Sequence, residues 1–522
     1  MTDAFKVFGT NPRTGEPLEP VTEETTEAEV AVLVSAAAEA APVFAALDRR
    51  VRAQILGAIA DGIDAHRAEL IEIASAETGF GAAKLDGEIN RAAFQFRFFG
   101  DVIGEGSYLE VAIDPPADTP TGPRPDLRRI LTPIGPVAVF GSSNFPFAFS
   151  VLGGDTASAL AAGCPVVLKA HPSHPATSQL SYDIIAAALA DSQAPEGVIA
   201  IVYGISAGAT LVAQPAVKAV GFTGSLRGGR ALIEVINTRD EPIPFYGELS
   251  SLNPVVVTPG AASERAEEIG AGLVGSFTIG SGQLCTKPGF VLVPDNGDGD
   301  RLVDAVHAGL DGSSGHVLLN EGIYTTFTGE TAALRQRTDV ETRTAPAVDE
   351  EGFAVAPMVV ETTLDELDPA LVHEVFGPIT ILARYRPDSV ISSAATVFDT
   401  FPASLTATVH HAHGDESLQA LTDLATAHAG RVVYNAFPTG VTVSWAQHHG
   451  GPWPSTNSLH TSVGATAIRR FLRPVTYQNA PQQVLPPELR DGYTDIPRRI
   501  DGRLHAGGTQ AVRRRRERPA RG

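Results

Sequence analysis

Between residues 137 and 236 short apolar runs alternate four times with helical patterns, and few folds can accept that order. Val137–Phe140, Val166–Leu168, Val198–Tyr203 and Val217–Phe222 read as buried strands. Helices follow them over Asp155–Ala162, Leu180–Leu189, Gly208–Val212 and Leu226–Ile236. Strands apolar at nearly every position have no face to give to water, so they need cover on both sides. The spacing therefore implies a parallel sheet between two layers of helices. Ligands of such sheets bind where strands end and helices begin. After residue 249 the alternation restarts with Pro254–Thr258 and a helix over Ser263–Val274, and it continues to about residue 445, which gives a second α/β unit.

At 522 residues the chain exceeds what one core can organise. Residues 27–41 and 51–78 read as helices separated by Pro42, and a third helix covers Glu88–Val102. The third carries Phe94, Phe98 and Phe99, with Arg91 and Arg97 among them. Arginines in an aromatic stripe either snorkel or meet a substrate carboxylate. The proline-rich stretch Pro115–Pro120, between strand-like Tyr108–Ile113 and Leu127–Leu131, reads as an excursion used for association. From Gln447 to Gln478 the chain is dense in Gly, Pro, His, Ser and Thr, and there is no internal repeat.

The charge of −21 repels nucleic acid, which disfavours a polyanion-binding role. Its one exception, the basic run Arg513–Arg518, reads as an unstructured tail. No stretch approaches 18 unbroken apolar residues, and Met1–Lys6 lacks the order of a signal peptide, so no membrane association is expected. Two cysteines, Cys164 and Cys285, make no disulfide framework, and the expected compartment is the cytoplasm.

Cys285 lies in Gly280-Ser281-Gly282-Gln283-Leu284-Cys285-Thr286-Lys287. A free cysteine is commonly a small buried hydrophobe. This one is flanked by small flexible residues that a ligand can approach, and the lysine that follows should favour the thiolate. Cys164, at a helix-to-strand turn, reads as core. The strand-to-helix turns Gly141–Pro146, Lys169–Ser173 and Phe222–Ser225, with Gly228-Gly229, can bring backbone N–H groups to a phosphate. They lack the G-x-G-x-x-G spacing. Glu248 stands at the hinge between the two alternating units. A thiol nucleophile, a carboxylate base and an amide donor such as Asn144 form a set able to oxidise an aldehyde. Trp445, Trp453 and the pair His448-His449 read as packing or interface residues, because adjacent histidines lack the spacing of a helical metal site. No metal is expected.

Six segments in order resemble the aldehyde dehydrogenase superfamily over roughly residues 5–490. They are Ser143–Pro146, Val167–Lys169, Gly221–Ser225, Glu248–Pro254, Gly282–Cys285 and Glu374–Pro378. Phe145–Ser150, Ala170–Pro175, Phe437–Val441, His449–Pro452 and Phe471–Gln478 are similar to the 2,5-dioxovalerate (α-ketoglutaric semialdehyde) dehydrogenase branch. The resemblance implies an α/β fold of aldehyde dehydrogenase type. A Rossmann-type cofactor domain would span 1–115 and 135–248, and a catalytic α/β domain 249–447. A small β oligomerisation element would span 116–134 and 448–485, followed by a C-terminal segment, 486–522.

It also implies roles. Cys285 attacks the aldehyde, Asn144 and the Cys285 N–H hold the oxyanion, and Glu248 activates the water that hydrolyses the thioester. Lys169 meets the adenosine ribose, Ser225 and its turn the pyrophosphate, and Glu374 with Phe376 the nicotinamide ribose. Ser143, His171, Ser173, Gly204, Gly224, Gly229 and Leu249 complete the cofactor site. Many NAD-preferring relatives carry a glutamate where Pro172 stands here. Its loss removes repulsion of a 2′-phosphate, and His171, Ser173 and His174 can donate hydrogen bonds, so NADP is expected, with NAD possible. Ser250-Ser251 replaces two glycines, as in that branch. The expected reaction is oxidation of a semialdehyde to its carboxylate, by preference α-ketoglutarate semialdehyde to 2-oxoglutarate. The alternatives are the same chemistry on another aliphatic or ω-carboxylated aldehyde, acyl transfer to coenzyme A, which Glu248 opposes, and a non-catalytic binding protein. A homodimer or homotetramer is expected.

Overall fold

The computed structural model describes residues 5–346 and 351–507; the arginine-rich run 513–518 lies outside them. Five parallel strands form the first sheet, in the order Phe245–Glu248, Ala219–Thr223, Val137–Phe140, Val166–Lys169, Ile199–Val202. Val137–Phe140 and Val166–Lys169 are buried at every position, as strands covered on both faces must be. On one face lie the helices Glu27–Ala45, Ile205–Ala213 and Leu226–Asn237, whose Val30, Val34, Leu211 and Ile236 join the strands in a single cluster. On the other, Arg49–Ala65, Arg67–Thr78 and Ala82–Glu105 share a core in which Ile55, Ile59 and Ile63 meet Ile89, Phe96 and Phe99.

Glu27–Ala45 is, among the described residues, the one helix long and apolar enough to cross a bilayer. Its apolar face is used in the core, and its start is fixed by a capping box between Thr26 and Glu29. Pro42 does not end it but sits inside its last turn. The stretch 51–78 is two helices, broken at His66. Phe94, expected in the apolar stripe, is 48% exposed.

Seven strands form the second sheet: Glu341–Thr344, Met358–Thr363, Ile379–Tyr385, Phe290–Pro294, Val255–Val257, Ser404–His410 and Ala429–Tyr434, all parallel except the first. A third, mainly antiparallel sheet runs Leu472–Gln478, Leu127–Pro133, Ala112–Asp114, Arg498–Ile500, Arg503–His505. Its membership corrects the expected partition. Residues 498–505 belong to this sheet and not to a separate C-terminal segment. Residues 448–462 instead lie over the junction of the first two sheets, where Leu249 N–H donates to Ser455 O (2.8 Å) and Asn457 brackets the Phe245–Gly247 backbone. Tyr108 and Leu109 form a 3-10 turn after Gly106, leaving only Ala112–Asp114 as strand.

Candidate active site at the junction of the two parallel sheets

The helix Pro259–Thr278 ends in a tight turn at Ile279–Gly282. Gly280, Ser281 and Gly282 adopt φ of 61°, 59° and 66°, a left-handed path that costs a non-glycine residue such as Ser281 about 1 kcal/mol or more. Gly282 admits no substitute, since a Cβ there would stand 2.3 Å from Gly377 O. The turn delivers Cys285, whose carbonyl accepts from Asn253 Nδ2 (2.8 Å), and the same amide reaches Lys287 O (3.0 Å). Asn253 is fully buried and its Oδ1 accepts from Ser251 Oγ and from Thr406 N and Oγ1, so it locks the cysteine loop to the second sheet.

Lys287 does not serve the thiolate. Its Nζ turns away to donate to Val375 O (2.8 Å) and Ile379 O (2.9 Å), and burial pulls its pKa down to about 8. Burial also pushes the Cys285 thiol well above its ordinary range, and the Glu248 carboxylate pushes it further. Both causes oppose the thiolate, contrary to the expectation drawn from the neighbouring lysine.

Glu248 ends the edge strand of the first sheet, in register with Thr223. Its Oε1 lies 2.8 Å from His449 Nε2, and its Oε2 accepts from Ser462 Oγ (2.7 Å). Burial alone would raise its pKa, but His449, Ser462 and Cys285 outweigh burial and hold it below the usual carboxylate value. His449 Nε2 is also 3.6 Å from Cys285 Sγ, and sulfur, carboxylate oxygen and ring nitrogen all lie within 4.8 Å of one another. His449 Nδ1 is buried without a partner among the described residues, which places the ring proton on Nε2. That N–H faces carboxylate and sulfur together and can serve whichever carries the charge. His449, expected to be packing, is the residue that links the other two.

Asn144 follows the strand Val137–Phe140 and donates from Nδ2 to Gln283 O (2.8 Å), two residues before the cysteine. Its loop is fastened from below. Glu88 Oε1 accepts the N–H groups of Phe147 (2.8 Å) and Ala148 (3.0 Å), and Lys84 Nζ bridges Glu88 Oε2 (3.3 Å) and Asn144 O (3.4 Å). Glu88 is 5% exposed, so removing its carboxylate strands two buried N–H donors. Glu88→Ala is expected to lower kcat roughly 10- to 100-fold by loosening the loop, while cofactor affinity measured by fluorescence titration holds.

One cavity of about 510 Å³ connects these groups to the expected cofactor turns. Asn144, Glu248 and Cys285 line it together with Ser143, His171, Gly224, Ser225, Leu249, Glu374 and Phe376. Lys169, Ser173, Gly204 and Gly229 are not among the residues that line it. Ser173 accepts from Asn320 Nδ2 (2.9 Å), Gly204 packs on Glu24, and a Cβ on Gly229 would strike Leu249 at 2.4 Å. Ser225 Oγ caps the helix Leu226–Asn237 by accepting from Gly228 N, and no acidic residue occupies that helix's first turn. Burial lowers Lys169 to about 8. Burial, His174 and Lys169 keep His171 neutral, and its Nδ1 accepts from Ser173 N (3.1 Å), leaving Nε2–H as a donor. Arg227, absent from the expected set, lines the same cavity. No isolated charge in a helix announces such a role from sequence.

The two arginines of the helix Ala82–Glu105 part company. Arg97 lies on the outer face and pairs with Asp61 (2.7 Å) and Asp64 (2.9 Å), which removes it from the expected substrate contacts. Arg91 points inward, 5.0 Å from the Phe149 ring, and Phe149 in turn packs 6.3 Å from the His449 ring. Residues 91 and 97 sit roughly 120° apart around a helix, so one face cannot carry both.

Comparison with known proteins gives this geometry a context. Residues 3–311 match the aldehyde dehydrogenase family. The α-ketoglutaric semialdehyde dehydrogenase 2 of Azospirillum brasilense is 44% identical over 94% of this chain and 95% of its own length. The α-ketoglutaric semialdehyde dehydrogenase of Acinetobacter baylyi is 40% identical over 87% of each chain. Among solved structures, aldehyde dehydrogenase 21 from Physcomitrella patens, in complex with the reaction product succinate, shares the fold with a TM-score of 0.78. It is 18% identical, and the match covers 92% of this chain and 96% of that one. A thiol, a carboxylate and an amide brought to one cavity between two parallel sheets, with kinship along nearly the whole length, place this chain in the aldehyde dehydrogenase family.

Proposed function

We propose that the protein oxidises a semialdehyde carrying a carboxylate at its far end, by preference α-ketoglutarate semialdehyde, to the dicarboxylate. The observation that carries this reading is the meeting of Cys285, Glu248 and His449 within 4.8 Å, the first two at the wall of a cavity of about 510 Å³. The names of the two full-length relatives supply the aldehyde class.

The thiol gives up its proton to solvent in the cavity, and His449 Nε2–H moves its hydrogen bond from the carboxylate to the thiolate. The sulfur adds to the aldehyde carbon. Asn144 Nδ2 and the Cys285 N–H donate to the resulting oxyanion, and one such donor contributes about 3 kcal/mol. A bound nicotinamide cofactor supplies the acceptor for the hydride lost when this adduct becomes a thioester. Glu248 then removes a proton from water, hydroxide adds to the thioester carbon, the C–S bond breaks, and Glu248 passes its proton to the leaving sulfur, which regenerates the thiol while the released acid ionises to the carboxylate.

The residues that would hold the cofactor fit a dinucleotide. The capped helix start at Ser225 lines one continuous space with Gly224, Glu374 and Phe376. We assign NADP as the preferred form. Pro172 places no carboxylate at its position, and His171 Nε2–H and Arg227 offer a donor and a charge at the cavity wall. The expected kcat/KM favours NADP over NAD, and Arg227→Ala narrows that ratio about tenfold. A tenfold preference for NAD in the wild type would remove the NADP assignment.

Two further points belong to the same reading. The edge strand Leu472–Gln478 of the third sheet, with its exposed backbone, supports a homodimer or homotetramer. Two unpaired cysteines support a reducing, cytoplasmic setting. The reaction is tested by supplying an aldehyde panel with each cofactor and following reduced-cofactor absorbance. Turnover that requires coenzyme A, or none with any aldehyde, would contradict it.

A further inference from the structure

Three guanidinium N–H positions beside the active site are buried and bond to nothing among the described residues: Nε and Nη2 of Arg91 and Nε of Arg431. Unpaired buried donors are costly, more so when charged, and each one asks what it is for. The two arginines come from different elements, the helix Ala82–Glu105 and the strand Ala429–Tyr434. They are nevertheless pinned to one segment. Arg91 Nη1 donates to Val441 O, while Arg431 Nη1 donates to Gly440 O (2.9 Å) and its Nη2 to Pro438 O. These bonds hold both forks in place while leaving an edge of each free.

Both charges lie near enough to Cys285 to bear on its thiol. Arg91 stacks on Phe149, which packs against Phe145 (5.2 Å) and His449 (6.3 Å), and His449 Nε2 is 3.6 Å from the Cys285 sulfur. The chain as a whole carries −21, a field that repels anionic substrates. Neither arginine forms an ion pair with a carboxylate among the described residues, and the carboxylates near enough to bear on Arg91 are Glu88 and Glu248.

We propose that Arg91 and Arg431 form a two-guanidinium seat for the far end of the substrate, taking the carboxylate and the adjacent oxo group of a 2-oxo acid semialdehyde. The inference rests on the semialdehyde reading above and adds to it the residues that select the substrate. Arg91 offers two N–H groups, Nε and Nη2, to a carboxylate, and Arg431 offers a third through Nε. A neutral aldehyde fills the apolar wall but leaves these donors unpaired, which is the situation in which a site rejects an analogue most strongly.

The test compares kcat/KM for α-ketoglutarate semialdehyde and for pentanal, an uncharged aldehyde of equal chain length, in wild type, Arg431→Met and Arg431→Lys. The wild type is expected to favour the semialdehyde by roughly 1000-fold. Arg431→Met is expected to shrink that ratio at least about 30-fold, chiefly through KM of the semialdehyde, and Arg431→Lys to restore part of it. Equal losses on both aldehydes, or an unchanged ratio, would overturn the seat and leave the proposed reaction standing. A wild type without preference would overturn the semialdehyde reading itself, and the seat with it. Should Arg431→Met fail to fold, the wild type decides: 2-oxoglutarate is expected to compete with pentanal, and its dimethyl ester is not. Equal inhibition by both would overturn the seat.

Discussion

Cys285→Ala is expected to lower aldehyde oxidation by at least about 10⁴-fold while the dissociation constant for the cofactor stays within about threefold. No neighbour can replace the sulfur. The other cysteine, Cys164, is fully buried and its Sγ lies 3.4 Å from Phe471 O, in a core that the cavity does not reach. The substitution removes one atom from the cavity wall and leaves the loop's fastening untouched, because Asn253 holds residue 285 through its carbonyl and not its side chain. Steady-state turnover and cofactor titration on the same preparation separate loss of chemistry from loss of fold. Residual oxidation above a thousandth of wild type would mean that another group carries the reaction.

The second large effect divides in sign. Glu248→Gln is expected to slow steady turnover roughly 100- to 1000-fold, yet to speed alkylation of Cys285 by iodoacetamide at neutral pH. The carboxylate is one of the causes that push the thiol upward, after burial itself. Removing its charge lowers the thiol's pKa, so more thiolate is present at a given pH below that pKa. His449 Nε2–H then faces a neutral amide oxygen in place of the carboxylate, so the sulfur at 3.6 Å competes better for it. Alkylation of the wild type is expected to rise steadily with pH through the alkaline range, and the variant's profile to shift to lower pH. Turnover falls because nothing remains to take a proton from the hydrolytic water, so the first hydride transfer survives as a burst. A variant that alkylates more slowly than wild type would show that Glu248 activates the sulfur without restraining it.

Much of this arrangement is legible in the amino-acid sequence alone. Parallel strands buried on both faces must be apolar throughout, so Val137–Phe140 and Val166–Lys169 announce themselves, and the strand-to-helix turns then locate the cavity. Asn144, Glu248 and Cys285 sit at such turns and strand ends, where local pattern and position coincide. His449 does not. It lies in a Gly-, Pro- and His-rich stretch with no period, and its importance comes from a fold-back that sets residue 449 against residue 248. Asn253 and Glu88 act through backbone groups more than 30 and 50 residues away, which residue type cannot reveal. Lys287 misleads because adjacency in sequence says nothing about direction, and its Nζ faces Val375 and Ile379. The strands Arg498–Ile500 and Arg503–His505 are three residues long, too short to carry an alternating pattern.

The central claim is that the substrate becomes an acyl group on one sulfur. Glu248→Gln mixed with α-ketoglutarate semialdehyde and NADP, acid-quenched within the burst and digested, tests it by mass spectrometry of the peptides. The account expects the mass of a 2-oxoglutaryl thioester on the peptide containing Cys285, in amounts matching the burst of reduced cofactor. A burst without that adduct, or an adduct on any other residue, would contradict it.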